Sequence, residues 1–278
     1  YGISQSLFKE TSFYGAYGNR VTYFGTGEEF FVDLKERLKE AKEFIFMQFF
    51  IITPSAMWNE IEEILLEKVK AGVEVRVMYD DVGSLRTPGS FSKRLNKLGI
   101  SCIKFNPLTL FNFGRYDNRD HRKIVIIDGK TGYTGGSNIA DEYINLKPRF
   151  GRWKDSTVRI EGSTVKVLTF NFLLMNDVMR RIDPDYRKSS GYGKTSDYKK
   201  YLCVDTETFD DGGYVQPFVD GPRPFYEDNI AENNFLNLIN SAKKRLYIAT
   251  PYLIPDFSLL SALTLAASRG VDVRRSEE

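Results

Sequence analysis

The chain has 278 residues, 42% hydrophobic and 27% charged, with 39 Lys and Arg against 37 Asp and Glu, a formal net charge of +2. That composition suits one large or two small folded cores and lacks the strong basic excess of a dedicated nucleic-acid binder. No apolar run reaches the roughly 18 to 20 residues that span a bilayer, no secretory signal opens the chain, and two cysteines with one histidine argue against a disulfide framework or a zinc site.

In chain order, Phe31, Leu34, Leu38 and Ala41 form a helical stripe, Phe44 to Ile52 an apolar strand, and Trp58, Ile61, Ile64, Leu65 and Val69 a second helix before a strand from Val73 to Tyr79. Asp80-Asp81 precedes Gly83 and reads as a capped turn rather than a metal pair. A helix near 91–98 and a strand at 101–105 follow. Phe105 to Gly114 is then an apolar aromatic loop, open to two readings: one that dips into a lipid interface, or one packed in the core. A hairpin is expected over 121–127 and Tyr133, then a strand near 156–161 and a helix near 163–182. From Ile182 to Lys200 the chain is rich in Ser, Gly, Tyr and Lys with little periodicity and reads as a linker.

The opening elements recur. Ala41 to Pro54 matches Ala242 to Pro255 at an offset of 201 (242 less 41), and Gly72-Val73-Glu74-Val75-Arg76 returns as Gly270-Val271-Asp272-Val273-Arg274 at 198 (270 less 72). Both copies read helix, strand, helix, strand, so the expected fold class is α/β, layered around a mixed sheet. The expected organisation is an N-terminal extension over 1–24, a first domain over 25–182, a linker over 183–210, and the start of a second domain over 211–278.

The only histidine lies in Asp120-His121-Arg122-Lys123-Ile124-Val125-Ile126-Ile127-Asp128, followed by Gly135-Gly136-Ser137-Asn138. Alternation places His121, Lys123, Val125 and Ile127 on one face of a strand. A neutral imidazole is a competent nucleophile toward a phosphodiester, and its phosphoramidate product can be hydrolysed or passed to an alcohol. Lys123 and Asn138 would hold the phosphoryl oxygens. Asp128 faces away from His121, which favours a structural part for it.

His121-x-Lys123-x4-Asp128-x6-Gly135-Gly136-x-Asn138 resembles the HKD motif of the phospholipase D superfamily. Asn118-Arg119-Asp120, Gly136 to Tyr143, Trp153-Lys154-Asp155 and Ile160-Glu161-Gly162 resemble the bacterial cardiolipin synthases within it. The resemblance implies a fold of two homologous α/β halves, each giving a His and a Lys to one site, with no metal or other cofactor. It implies that His121 attacks phosphorus, that Lys123 and Asn138 bind phosphate, and that a downstream carboxylate orients the His. Asp155 is the candidate for that carboxylate and Asp141 the alternative. The catalytic set is therefore His121, Lys123, Asn138, Asp128 and Asp155, with Lys123, Asn138, Gly136, Ser137 and Arg119 as substrate-binding candidates.

A second motif is expected near position 320 (about 200 added to 121), beyond Glu278, so the chain reads as a fragment carrying half a site unless two copies pair as a homodimer. The implied activity is a phosphatidyltransferase joining two phosphatidylglycerol molecules through a phosphatidyl-His121 intermediate and releasing glycerol. The implied partners are anionic phospholipid and a membrane surface, at the cytoplasmic face of the cell membrane with anchor segments upstream, and nucleic acid is not favoured. Two alternatives stay open: a phosphodiesterase or nuclease of the same superfamily, and a catalytically silent anionic-lipid-binding module.

Overall fold

The computed structural model describes residues 2–108, 118–148, 151–182, 196–220, 229–250 and 252–276. By internal contacts it divides into two compact units, Ala16–Val215 and a second made of Tyr1–Gly15 with Gln216–Glu278.

The larger unit is a layered α/β domain. Its described elements are β1 (Ala16–Phe24), α2 (Gly27–Glu40), β2 (Phe44–Phe49), α3 (Ala56–Lys70), β3 (Glu74–Asp80), α4 (Phe91–Lys97), β4 (Ser101–Phe105), β5 (Ile124–Ile127), β6 (Thr131–Gly135), β7 (Thr157–Glu161), α5 (Val165–Ile182), α6 (Tyr198–Leu202) and β8 (Gly213–Val215), α1 (Gly2–Thr11) belonging to the other unit. The strands form one sheet in the order β4-β3-β2-β5-β6-β7-β1-β8. Strands β4, β3 and β2 run parallel, and every neighbour from β2 onward pairs antiparallel.

Strand alternation explains the two cores. Ile45, Met47 and Phe49 of β2, with Val125 and Ile127 of β5, join a cluster containing Phe30, Phe31 and Leu34 of α2 and Trp58, Ile61 and Leu65 of α3. Phe44, Phe46, Ile124 and Ile126 point the other way, to Leu168, Phe172 and Leu173 of α5. Because β2 and β5 are covered on both faces, they read as continuous apolar runs. Thr26 and Ser55 cap α2 and α3, each hydroxyl accepting a backbone N–H three residues on, from Glu29 and Trp58 at 3.3 Å.

Several elements differ from the sequence expectation. Ala16–Phe24, expected inside an N-terminal extension, is a strand of the large sheet. Its pattern is obscured by Asn19, which is fully buried and uses its side-chain oxygen to accept from the backbone N–H and hydroxyl of Thr164. Within the stretch expected to be linker, 198–202 is helical. It is held by Tyr201, whose hydroxyl accepts from buried Arg76 at 2.8 Å. Of the aromatic loop, Phe105 is buried in the core, while 109–114 lies outside the described residues, as does 183–195 of the linker.

In the smaller unit, α7 (Ile230–Ser241), β9 (Arg245–Ala249), α8 (Phe257–Ser268) and β10 (Asp272–Ser276) are described. Here β9 and β10 pair in parallel with Arg245 opposite Asp272, just as β2 and β3 pair with Phe44 opposite Glu74. The sequence repeat is thus a repeat of strand register. Among the described residues no helix is long and apolar enough to cross a membrane.

Candidate active site

The motif gathers where β2 and β3 end at their carboxyl ends and β5 and β7 begin, the edge of a parallel sheet where ligand sites form. Residues 121–123 are not part of β5, which starts at Ile124. Anchors beneath them set this stretch instead. Asp80, fully buried at the end of β3, accepts from the backbone N–H of Val82 at 2.8 Å, Gly83 at 3.0 Å and Asp120 at 3.0 Å, and from the Arg119 guanidinium at 3.4 Å. Its carboxylate therefore caps the turn after β3 and pins the peptide before His121. Buried Asp120 in turn accepts from the Gln48 side-chain amide of β2 and the Arg122 backbone N–H. Burial, and the nearby Asp80 carboxylate, push the Asp120 carboxyl above its ordinary range.

His121 projects from this anchored peptide with its ring exposed, and Phe50 lies 4.8 Å away between ring centroids. Lys123 is buried, and its Nζ donates to the His121 carbonyl at 2.6 Å and stands 3.1 Å from the imidazole Nδ1. Partial desolvation, then the Lys123 charge, lower the His121 pKa, so the ring is neutral around pH 7. Desolvation also brings Lys123 down to about 8, against the opposing pull of the Asp155 and Asp120 carboxylates.

Asn138 is buried and held at both ends. Its Oδ1 accepts from the Ile51 backbone N–H at 2.9 Å, and its Nδ2 donates to the Tyr143 hydroxyl at 2.8 Å. One Nδ2 proton stays uncommitted by these bonds. Asp155 sits against Gly136, where a Cβ would fall 1.9 Å from the Asp155 Oδ1, so only glycine permits the approach. Its carboxylate accepts from the Ser156 backbone N–H at 2.8 Å and faces the Lys123 charge, while burial raises its pKa. The hydrogen bond of the His121 ring among the described residues runs to Lys123, and none there joins it to Asp155.

The remaining sequence candidates lie apart from the ring. Asp141 accepts from the Met57 backbone N–H at 3.0 Å and pairs with Lys147 at 3.1 Å, serving the start of α3. Asp128 lies at the opposite end of β5 from His121, roughly 20 Å away at strand rise. It accepts backbone N–H groups from Lys42, Glu43 and Phe44 at 2.8, 2.8 and 2.9 Å. Arg119 turns inward to Asp80 and to the Asn106 carbonyl at 3.3 Å. Sequence reasoning singled out neither Gln48 nor Thr157, and Asp80 only as a turn. A carboxylate closing a buried parallel strand was the available signal for Asp80. Among the described residues no group of three or more His, Cys, Asp or Glu is placed to hold a metal ion.

A mixed α/β sheet presenting His-x-Lys at one strand start and Gly-Gly-x-Asn at the next strand's end has the fold and motif of the phospholipase D superfamily. Residues 34–148 and 235–275, more than half of the chain, match the family described as cardiolipin synthase, PLD-like domain, and the chain belongs to that family. An uncharacterized protein of Streptococcus mutans is 41% identical over 99% of this chain and 56% of its own length. A cardiolipin synthase of Halalkalibacterium halodurans is 36% identical over 89% of this chain and 47% of its own. The major cardiolipin synthase ClsA of Bacillus subtilis is 34% identical over 92% and 50%. The chain thus spans about half the length of the curated relatives it matches. In fold it is similar to the phosphatidylserine synthase of Haemophilus influenzae, with a TM-score of 0.62 at 16% identity over 92% of this chain and 60% of that one.

Proposed function

We propose that this chain carries the His121 half-site of a cardiolipin synthase-type phosphatidyltransferase. In this reading the Nε2 of His121 attacks the phosphorus of one phosphatidylglycerol, glycerol leaves, and a second phosphatidylglycerol takes the phosphatidyl group from the histidine. Lys123 and the free proton of the Asn138 amide neutralise the developing charge on the phosphoryl oxygens. Asp155 sets the field at Lys123. A second histidine, from further chain or a second copy, protonates the leaving glycerol, and the substrate is met at an anionic membrane surface on the cytoplasmic side. Within this half-site Asp128 and Arg119 hold the frame while Gly136 and Ser137 line the phosphate.

The observation that carries this reading is an exposed imidazole, kept neutral by partial desolvation, with a buried ammonium on its flank. The curated cardiolipin synthases at 34 to 36% identity support the choice of lipid as substrate. The test is a denaturing quench at alkaline pH, where a phosphohistidine survives, of the chain with phosphatidylglycerol vesicles or single-stranded DNA, followed by mass analysis of His121. An acid-labile phosphatidyl adduct from lipid and none from DNA is the expected result. An adduct from DNA alone would reassign the chain as a nuclease, and vesicle binding without any adduct would leave an anionic-lipid-binding module.

A further inference from the structure

This inference rests on His121 as the nucleophile, and starts from an obstacle to that role. A protonated lysine can only donate hydrogen bonds, so with Lys123 Nζ at 3.1 Å the imidazole Nδ1 must accept and the ring proton sits on Nε2. In that tautomer Nε2 has no free lone pair and the Nδ1 lone pair is covered by the ammonium. The described state is therefore a resting state, and Lys123 has to leave Nδ1 before phosphorus can be attacked.

The sheet register shows where Lys123 can go. Ile124 pairs with Thr134 across β5 and β6, so the next step sets Lys123 opposite Gly135, and Gly135 pairs with Thr157 across β6 and β7. Directly opposed residues of antiparallel strands point to one face, so Lys123, Gly135 and Thr157 form a row whose middle member has no side chain, leaving that place to Thr157. At strand spacings of about 4.8 Å the outer Cα atoms stand roughly 10 Å apart, within reach of a lysine side chain laid across glycine. The gap is tight, since a Cβ on Gly135 would come within 2.7 Å of the Thr157 Oγ1. Ser137, two residues along from Gly135, faces the same closed space, too narrow for a water molecule as it stands, which Lys123, Gly135, Ser137, Thr157, Tyr133 and Phe49 line. The Ser137 and Thr157 hydroxyl oxygens are buried, and neither has a hydrogen-bond partner among the described residues. A buried hydroxyl left unpaired costs about 1 to 3 kcal/mol, which the Lys123 ammonium, already beside them, would recover by turning toward them.

We infer that Ser137 and Thr157 are positioning residues whose hydroxyls form a second seat for the Lys123 ammonium. Lys123 moves to this seat when an anionic phosphoryl group binds. There its three N–H groups meet Thr157 Oγ1, Ser137 Oγ and a phosphoryl oxygen, a charged acceptor stronger than the imidazole it leaves. Released from Lys123, the exposed ring exchanges its proton through solvent: one proton leaves Nε2 and one returns to Nδ1, with no net gain. Nε2 then carries the lone pair that forms the N–P bond. Substrate arrival and nucleophile activation become one event, which protects the histidine from wasteful attack when no phosphoryl group is present.

A chain with one histidine gives a single pair of ring-nitrogen resonances, so the test is 15N NMR of the histidine-labelled protein near neutral pH, titrated with inorganic phosphate. Without phosphate, Nδ1 should resonate as an unprotonated nitrogen and Nε2 as a protonated one; saturating phosphate should exchange the two. In Thr157→Val combined with Ser137→Ala the exchange should be lost, and in Thr157→Ser it should return. Exchange in the variant lacking both hydroxyls equal to that of the wild type would overturn the inference, as would a wild type whose tautomer ignores phosphate. No turnover is needed for this readout. Failure of His121 as a nucleophile would show instead as a missing adduct in the vesicle experiment.

Discussion

Asp128 and Phe44 are bonded twice in opposite senses: the Phe44 N–H donates to the Asp128 carboxylate, and the Asp128 N–H donates to the Phe44 carbonyl, both at 2.9 Å. With two more N–H groups on the same carboxylate, the motif aspartate fixes the start of β2 against the end of β5. Asp128→Ala should lower unfolding free energy by roughly 2 to 4 kcal/mol in a urea titration, since carboxylate-accepted bonds contribute about 1.5 to 3 kcal/mol each and water can replace the exposed ones. Adduct formation at His121, measured well below the unfolding transition, should survive. A stable variant that forms no adduct would give Asp128 a chemical role instead.

His121→Ala should abolish the adduct, and Lys123→Ala should slow it by about 10² to 10³ fold while changing stability little, because a preorganised charge acts mainly on the transition state. Removing Lys123 also removes a poorly solvated cation. Quench-flow rates and a melting curve on the same preparation separate the two effects, and a large drop in melting temperature with an unchanged rate would contradict this assignment.

The adduct rate should be bell-shaped in pH. The acid limb marks protonation of His121, which desolvation and Lys123 place below the usual imidazole value of about 6.5. The alkaline limb marks loss of the Lys123 proton, so the rate falls as pH rises through about 8. Asp155 holds the Lys123 pKa up, and Asp155→Asn should therefore move the alkaline limb to lower pH. Gly136→Ala should do the same by displacing that carboxylate, with little change in melting temperature because only a side-chain end has to shift. An alkaline limb that stays in place in both variants would remove Asp155 from the site.

Asn138→Ala should lose stability as well as rate, unlike Lys123→Ala. It removes the acceptor of the Ile51 N–H and the amide that donates to the Tyr143 hydroxyl, at a cost of about 1 to 3 kcal/mol. Asn138→Asp keeps the acceptor for Ile51 and should recover most of the stability in chemical denaturation. Equal losses in both variants would show that the amide is not bracing that loop.

Much of this molecule was legible from its residues. A continuous apolar run marked β2, alternation marked β5, helical stripes marked α2 and α3, and the Asp80-Asp81 turn closed as its composition indicated. What escaped notice was set by distant partners. The strand holding Asn19 looked unlike a strand because its buried amide serves Thr164, more than a hundred residues away. His121 was read as a strand residue because alternation is local, whereas Asp80 and Gln48 hold its backbone from two other strands. Asp155 was chosen by its place in a pattern, and the pattern holds no information on where its side chain lands: on Gly136 and toward Lys123 rather than on the histidine ring.

The shared register of β2 with β3 and of β9 with β10 also shows where the two copies differ in length. The offset between the copies falls from 201 (Phe44 to Arg245) to 198 (Glu74 to Asp272), and the connecting helix shortens from 15 residues in α3 to 12 in α8. A deletion of three residues removes nearly one helical turn, so the apolar stripe keeps its heading, whereas a slip of one residue in a strand would reverse its faces. Length differs in the crossover and agrees in the pairing, so what the two copies share is the spacing of hydrogen-bonded strands rather than the length of the helix that joins them.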